Sequence, residues 1–355
     1  MTVSLVARGS AVVAVLLAAT TVTPGAEAVA GPARRPLTQL LLGSPLTFGV
    51  TVNQPAPSSL PLLHLLRGDA ATFGVHDYVS ASDPPAQTLS TLAALHTIAL
   101  QGYPVTLTLD DESGDAPPPS VDAFVAFVRG VVAAAGSWLH AVEITNEPNI
   151  PSASTSDGAN PAIVTDLVRG VVAAKAVARQ QDLPVLVGFD FAYTYGSLLD
   201  VTFWLRLQLA AALTPGFASS VDWMGLHAYP NPGAGDVFTG PLIAPTEVAA
   251  MRAARGYLDG LLLGRQVPIS VTEVGYPTSR GTSEYGVQAS YWRAVLGAFR
   301  TYGGSFGVDS VFVFLLRDRP FLGSQPTANS YGIFDAQGVP KPAAAVVAAA
   351  AERSG

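Results

Sequence analysis

The sequence predicts an α/β fold, a closed (β/α)8 TIM barrel, and three observations predict it. Short apolar runs bounded by Gly, Pro or Asp alternate with longer Ala- and Leu-rich stretches. Eight of each can be counted, which is the tally of a β/α barrel. Polar residues gather where the apolar runs stop, as they do at the functional end of such a barrel. The strands are expected at 47–52, 71–76, 104–109, 140–146, 184–189, 221–228, 267–273 and 309–315. The helices are expected at 58–67, 86–101, 120–135, 162–181, 197–212, 246–263, 286–302 and 341–352. Near-continuous apolar strands separated by helix-length segments indicate a parallel sheet covered by helices. An open, doubly wound sheet is the alternative, but no G-x-G-x-x-G follows the first strand. No internal repeat of fixed period is present.

Around this barrel the chain divides simply. Residues 1–30 have the layout of a secretory signal peptide: Arg8, an apolar run from Ala11 to Thr20, and small residues at Ala26, Ala28 and Ala30. A retained membrane anchor is the alternative, although the run is short for a span. Residues 31–45 read as a Pro- and Arg-containing linker, and 46–355 as a single catalytic domain. This layout makes the mature protein secreted, with no stable membrane span after signal cleavage. Stretches 148–161 and 317–331, rich in Pro, Ser, Asn and Asp, read as loops after strands four and eight.

Composition excludes several classes. The net charge is −7 and Lys is nearly absent, so no basic patch offers itself to nucleic acid. With no Cys, thiolate chemistry, thiolate metal sites and iron–sulfur clusters are ruled out. His64, His76, His96, His140 and His227 are scattered, with no metal-ligand spacing, and no cofactor motif or G-x-S-x-G is present. Nothing in the sequence specifies an oligomeric state, and the Ala-rich outer helices read as barrel cladding.

Two glutamates carry the chemistry. Strand four ends Glu143-Ile144-Thr145-Asn146-Glu147-Pro148, and strand seven ends Ile269-Ser270-Val271-Thr272-Glu273. Side chains alternate along a strand, so Ile269, Val271 and Glu273 share a face, as do Glu143, Thr145 and Glu147. If Ile269 and Val271 line the barrel interior, Glu273 emerges at its mouth. Two carboxyl groups facing across a mouth suit glycoside hydrolysis, one protonating the leaving oxygen and the other attacking the anomeric carbon. Structural salt bridges at strand ends are the bland alternative. Glu143, deeper by one alternation, reads as a buried network residue needing partners. Asp110 and Asp111 read as a solvated turn or helix cap after strand three. Tyr193, Tyr195, Tyr276 and Phe321 fall near strand ends and could stack on sugar rings; Trp223 sits inside strand six.

At these residues the chain resembles the clan A glycoside hydrolases, the β/α-barrel superfamily of many cellulases, mannanases, xylosidases and β-glucosidases. Glu143-Ile144-Thr145-Asn146-Glu147-Pro148-Asn149 resembles that superfamily's strand-four signature. The resemblance implies Glu147 as acid/base and Asn146 as a ligand of the sugar 2-hydroxyl. Thr272-Glu273-Val274-Gly275 resembles the strand-seven motif and implies Glu273 as nucleophile. His227-Ala228-Tyr229-Pro230 resembles the strand-six motif, implying that Tyr229 holds the nucleophile and His227 lines the sugar site. The segment from Tyr331 to Asp335 followed by Gly338-Val339-Pro340-Lys341-Pro342 resembles the run into the last helix in some relatives. The chain departs from the pattern at strand eight, where Val311-Phe312-Val313-Phe314-Leu315-Leu316 lacks the usual Trp. It departs again near strand two, where a nucleophile-supporting Arg is missing and His76 is the candidate replacement. The implied activity is retaining hydrolysis of a β-linked oligo- or polysaccharide, with carbohydrate as the partner. The alternative is a secreted barrel that binds carbohydrate without cleaving it.

Overall fold

Eight parallel strands pair in sequence order and the last pairs with the first, closing the barrel. They are β1 (Thr47–Thr51), β2 (Phe73–Ser80), β3 (Val105–Asp110), β4 (Ala141–Ile144), β5 (Leu186–Phe189), β6 (Trp223–His227), β7 (Ile269–Val274) and β8 (Val308–Val313). The computed structural model describes residues 46–353 except 54, 56, 112–116, 152–155, 230–239, 280 and 320–329. The expected leader and linker, Phe321, and part of each expected strand-end loop lie outside the described residues.

Helices clad the barrel: α1 (Leu60–Arg67), α2 (Pro85–Ala99), α3 (Val121–Ala135), α4 (Ile163–Gln180), α5 (Leu198–Leu213), α6 (Phe217–Ser220), α7 (Gly240–Leu261), α8 (Tyr285–Tyr302) and α9 (Pro342–Glu352). All eight expected helices are present, and α6 is a short addition. Their starts follow local chemistry. Ser120 accepts a hydrogen bond from the Ala123 N–H and Ser197 from that of Leu199, while Pro85 and Pro342 occupy first turns, where a missing N–H costs nothing. Among the described residues no helix is long and apolar enough to cross a membrane.

β3 and β7 are buried at every position, because helices cover one face and the barrel interior the other. The outward-facing layer is apolar, with Val50, Val75, Leu107, Ile144 and Val187 all fully buried. The interior is polar in its middle. Glu143 on β4 accepts hydrogen bonds from Thr108 on β3 (2.8 Å) and Thr272 on β7 (3.0 Å), and lies 3.5 Å from His76 on β2. That is the partnered, buried network expected for Glu143. Gly225 on β6 makes room for it, since a Cβ there would stand 1.6 Å from Glu143 Oε1.

Three strand readings change. β4 ends at Ile144, short of the expected 146, so Glu147 is placed by a turn and not by strand alternation with Glu143 and Thr145. β2 continues four residues past the expected end at 76, to Ser80. On β7, Thr272 reaches the interior rather than Val271. The parity of Glu273 is rescued by an irregularity: between the β6 pairings Gly225–Ser270 and His227–Glu273, β7 spends one residue more than its neighbour. The same excess recurs against β8 between Val271 and Val274. An extra residue reverses the alternation, so adjacent Thr272 and Glu273 both turn toward the barrel axis.

Candidate active site

The C-terminal ends of β2, β4, β5, β6 and β7 bring five polar side chains together. Glu147 follows β4 on a turn in which Thr145 (φ 76°) and Glu147 (φ 47°) both adopt left-handed backbone. Such conformations cost roughly 1–3 kcal/mol each for non-glycine residues and persist only where the surroundings hold them. Here two buried carboxylates do so. Asp190, just past β5, accepts from the Glu147 N–H at 2.6 Å and from the Thr145 hydroxyl at 3.4 Å. Asp157 accepts from the Asn146 N–H at 2.7 Å and from the Asp111 N–H at 3.2 Å.

Glu273 is held differently. It stays within β7, and each of its oxygens accepts from a tyrosine: Oε1 from Tyr78, and Oε2 from Tyr229 at 2.7 Å. Between the two glutamates stands His227. Its Nδ1 lies 3.1 Å from Glu147 Oε1 and 3.6 Å from Glu273 Oε1, and its Nε2 lies 3.5 Å from Asp190 Oδ2. One ligand-type atom from each of Glu147, His227 and Glu273 lies within 4.8 Å of the others. The Glu147 side chain is 18% exposed and that of Glu273 8%, so both open onto the mouth while shielded from bulk water.

The electrostatics separate the groups. Burial raises the Glu147 pKa above the ordinary carboxylate value; the His227 contact opposes this and the nearby Glu273 adds to it. Burial alone would favour neutral His227, but Glu273, Asp190 and Glu147 surround it and hold its pKa well above 6.5. Burial likewise pushes Asp190 well up, against the pull of His227. Tyr78 and Tyr229 are raised well above 10, by burial first and then by the charge of Glu273, so both remain O–H donors. Tyr331 is pushed up to about 12 by burial and by Glu273 and Glu147. Its ring meets those of Tyr229 (5.8 Å) and Phe314 (5.5 Å), forming an aromatic wall where strand eight lacks a Trp.

Of the sequence-derived site residues, Glu147, Glu273, His227 and Tyr229 converge, and Asn146 sits buried at the same turn. His76 does not take the place expected of it beside Glu273. Its nitrogens lie 3.0 Å from the Thr51 hydroxyl and 2.8 Å from that of Thr108, so it belongs to the Glu143 layer below. Tyr78, one alternation further along β2, takes the place expected of His76. Tyr276 packs on Tyr291 (5.4 Å), and its carbonyl accepts from Gln288. Tyr195 donates to the Tyr229 carbonyl at 2.5 Å, steadying the strand-six end, and Tyr193 packs on Tyr195. Asp110 and Asp111 are buried rather than solvated; Asp111 accepts from Asn160 at 2.5 Å. Tyr78, Asp190, Asp157 and Tyr331 were not singled out by the sequence. Parity along a longer β2 would have found Tyr78, and a strand-end position marks Asp190.

Closed barrel, strand-end glutamates and their spacing can be set beside solved structures. The fold is the closed β/α barrel found in several solved glycosidases. An exo-β-1,4-mannosidase from an Opitutaceae bacterium superposes with a TM-score of 0.58 at 14% identity over 87% of this chain, which spans 59% of that longer protein. A β-glucosidase from Thermotoga maritima gives 0.59 at 14% identity, covering 88% of this chain and 99% of its own. A β-1,3-glucanase from Cryptomeria japonica pollen gives 0.59 at 14% identity, covering 82% and 97%. No protein-family model matches the chain, and no curated protein matches it in sequence. Identities this low make the likeness one of architecture.

Proposed function

We propose that the protein is a secreted retaining glycoside hydrolase acting on a β-linked oligo- or polysaccharide. One observation carries the reading: two glutamates at the ends of β4 and β7 approach within 4.8 Å, one raised in pKa by burial and the other held by two tyrosine hydroxyls. A gap of about 5 Å leaves no room for a water between nucleophile and sugar and favours direct attack. The three solved relatives named above, a mannosidase, a glucosidase and a glucanase, are β-specific by description and agree with that choice.

In this mechanism Glu147, protonated, donates to the glycosidic oxygen while Glu273 attacks the anomeric carbon. Tyr78 and Tyr229 orient the Glu273 carboxylate and temper its charge until the bond forms. Once Glu273 is esterified, the negative charge that helped keep Glu147 protonated is gone. The Glu147 pKa falls, and its carboxylate takes a proton from the incoming water. His227 bridges the two carboxylates, and Asn146 and the wall of Tyr229, Phe314 and Tyr331 supply hydroxyl and ring-face contacts. Both Glu273 oxygens already accept hydrogen bonds from tyrosine hydroxyls, so the carboxylate has its partners, and activity is expected to survive removal of divalent ions by a chelator.

The experiment is a reducing-end assay with β-glucans, mannans, xylans, arabinans and aryl glycosides, beside Glu147→Ala and Glu273→Ala. Turnover abolished in Glu273→Ala supports the enzyme. Retained glycan binding with no turnover supports a binding protein instead.

A further inference from the structure

Helix α5 is apolar on both faces. Its inner side, Phe203, Trp204 and Leu207, is buried against the barrel, where Trp204 packs on Phe189, Phe191 and Tyr257. Its outer side exposes Leu198 (79%), Leu205 (62%), Leu209 (64%) and Leu213 (75%). Of the sixteen exposed large apolar side chains among the described residues, six lie on this one helix, so the patch is not the usual scatter. By contrast α3 exposes mainly Ala, Gly and Arg, and α8 exposes Gly286, Arg293, Gly297 and Arg300 with only Val287 and Tyr302 among large apolar side chains.

The outward residues also have a period. Leu198, Thr202, Leu205, Leu209 and Ala212 are exposed and spaced four, three, four and three apart. That is the seam of a helix that packs against another helix, and it runs without interruption from the first turn to the last. A helix apolar all round belongs in a buried position. Its two charged residues leave the seam clear: Asp200 is buried and accepts from the Thr194 and Gly196 N–H groups, and Arg206 donates to the Pro161 carbonyl.

We propose that α5 is a dimer interface at which a second copy of the chain lays its own α5 antiparallel on this one. The stripe is symmetric about Leu205: Leu198 is as far before it as Ala212 is after it, and Thr202 and Leu209 flank it almost equally. A two-fold axis at Leu205 therefore sets each leucine against an apolar or small residue of its partner, as an isologous interface requires. The exposed stripe offers roughly 500 Å² of apolar surface, toward the upper end of the largest patch found on monomers, a size that is often functional. Two copies would cover on the order of 1,000 Å², the lower limit for a specific stable contact.

The test is sedimentation equilibrium of the full chain at micromolar concentrations, with three variants. The wild type is expected at the mass of two chains and Leu205→Glu at the mass of one, with an unchanged circular dichroism spectrum. The chain has no cysteine, so single-cysteine variants report the axis directly. Leu205→Cys should oxidise to a disulfide-linked dimer, whereas Leu198→Cys, opposite Ala212 of the other copy, should not. A monomeric wild type, as when residues 1–45 or nothing cover the stripe, overturns the proposal. A Leu205→Glu chain that remains dimeric overturns it too, as do equal cross-linking yields from the two cysteine variants.

Discussion

The two glutamates at the barrel mouth are the same residue type in opposite settings. Glu147 sits on a turn forced through two left-handed residues and pinned by carboxylates, with His227 at 3.1 Å. Glu273 sits within a strand, with a tyrosine hydroxyl on each oxygen. Donors stabilise an anion, while burial among other carboxylates favours the protonated acid. The contrast teaches how environment can separate two like groups: burial raises the pKa of the strand-four carboxyl, while the strand-seven one is oriented by two hydroxyl donors.

The sharpest way to break this comparison is to delete each side in turn. Glu273→Ala should lower kcat by at least about 10⁴-fold on every substrate, since no other group can form the covalent bond. Glu147→Ala should cost roughly 10²–10⁴-fold on substrates with poor leaving groups, and far less on aryl glycosides that leave without protonation. Steady-state kinetics across leaving groups would expose the difference. Equal losses on both substrate types would mean that the roles are not divided as described.

Smaller changes sharpen it. Tyr78→Phe and Tyr229→Phe each remove a hydrogen bond to a charged oxygen, a loss of about 1.5–3 kcal/mol, or roughly 10–100-fold in kcat, with KM little changed. If Tyr78 merely filled space, the phenylalanine variant would keep full kcat. The pH profile carries the other half. With Glu147 as the proposed acid, activity should fall as pH rises through its raised pKa. Direct carbon NMR titration of Glu147 in Glu273→Gln should find that pKa lower than in the wild type, because a neighbouring negative charge has gone.

The least effect on activity is expected at Asp77, the neighbour of Tyr78 on β2. Burial raises its pKa from 3.8 to about 7. The folded protein therefore binds a proton that the unfolded chain releases, and stability falls as pH rises from about 4 to about 7. Asp77→Asn should flatten that part of the pH dependence of thermal unfolding.

Most of the barrel was legible because its signal is local. Each strand is a short apolar run with its own stops, and five of the helices start on a serine cap or an early proline. The glutamates were legible for the same reason: each lies near the end of a strand that could be delimited from its neighbours, Glu147 three residues past β4 and Glu273 one residue before the end of β7. What escaped depends on contacts between distant strands. The extra residue in β7 that turns both Thr272 and Glu273 inward appears only against β6 and β8. The exchange of His76 for Tyr78 followed from ending β2 too early, since Asp77 and Tyr78 resemble a polar stop. Asp190 and His227 meet across β5 and β6, 37 residues apart, with no motif linking them. The outer face of α5 was read as cladding because its heptad is interleaved with an equally apolar inner face.

The account turns on Glu273 forming a covalent bond to sugar, and intact-mass analysis can read that bond. The protein would be incubated with a panel of 2-deoxy-2-fluoro aryl β-glycosides of gluco, manno, galacto and xylo configuration, whose glycosyl-enzymes form and then hydrolyse slowly. A single added glycosyl mass, mapped by peptide fragmentation to Glu273 and missing from Glu273→Ala, is the predicted result. Turnover of the parent glycosides with no adduct, or an adduct on another residue, would contradict it.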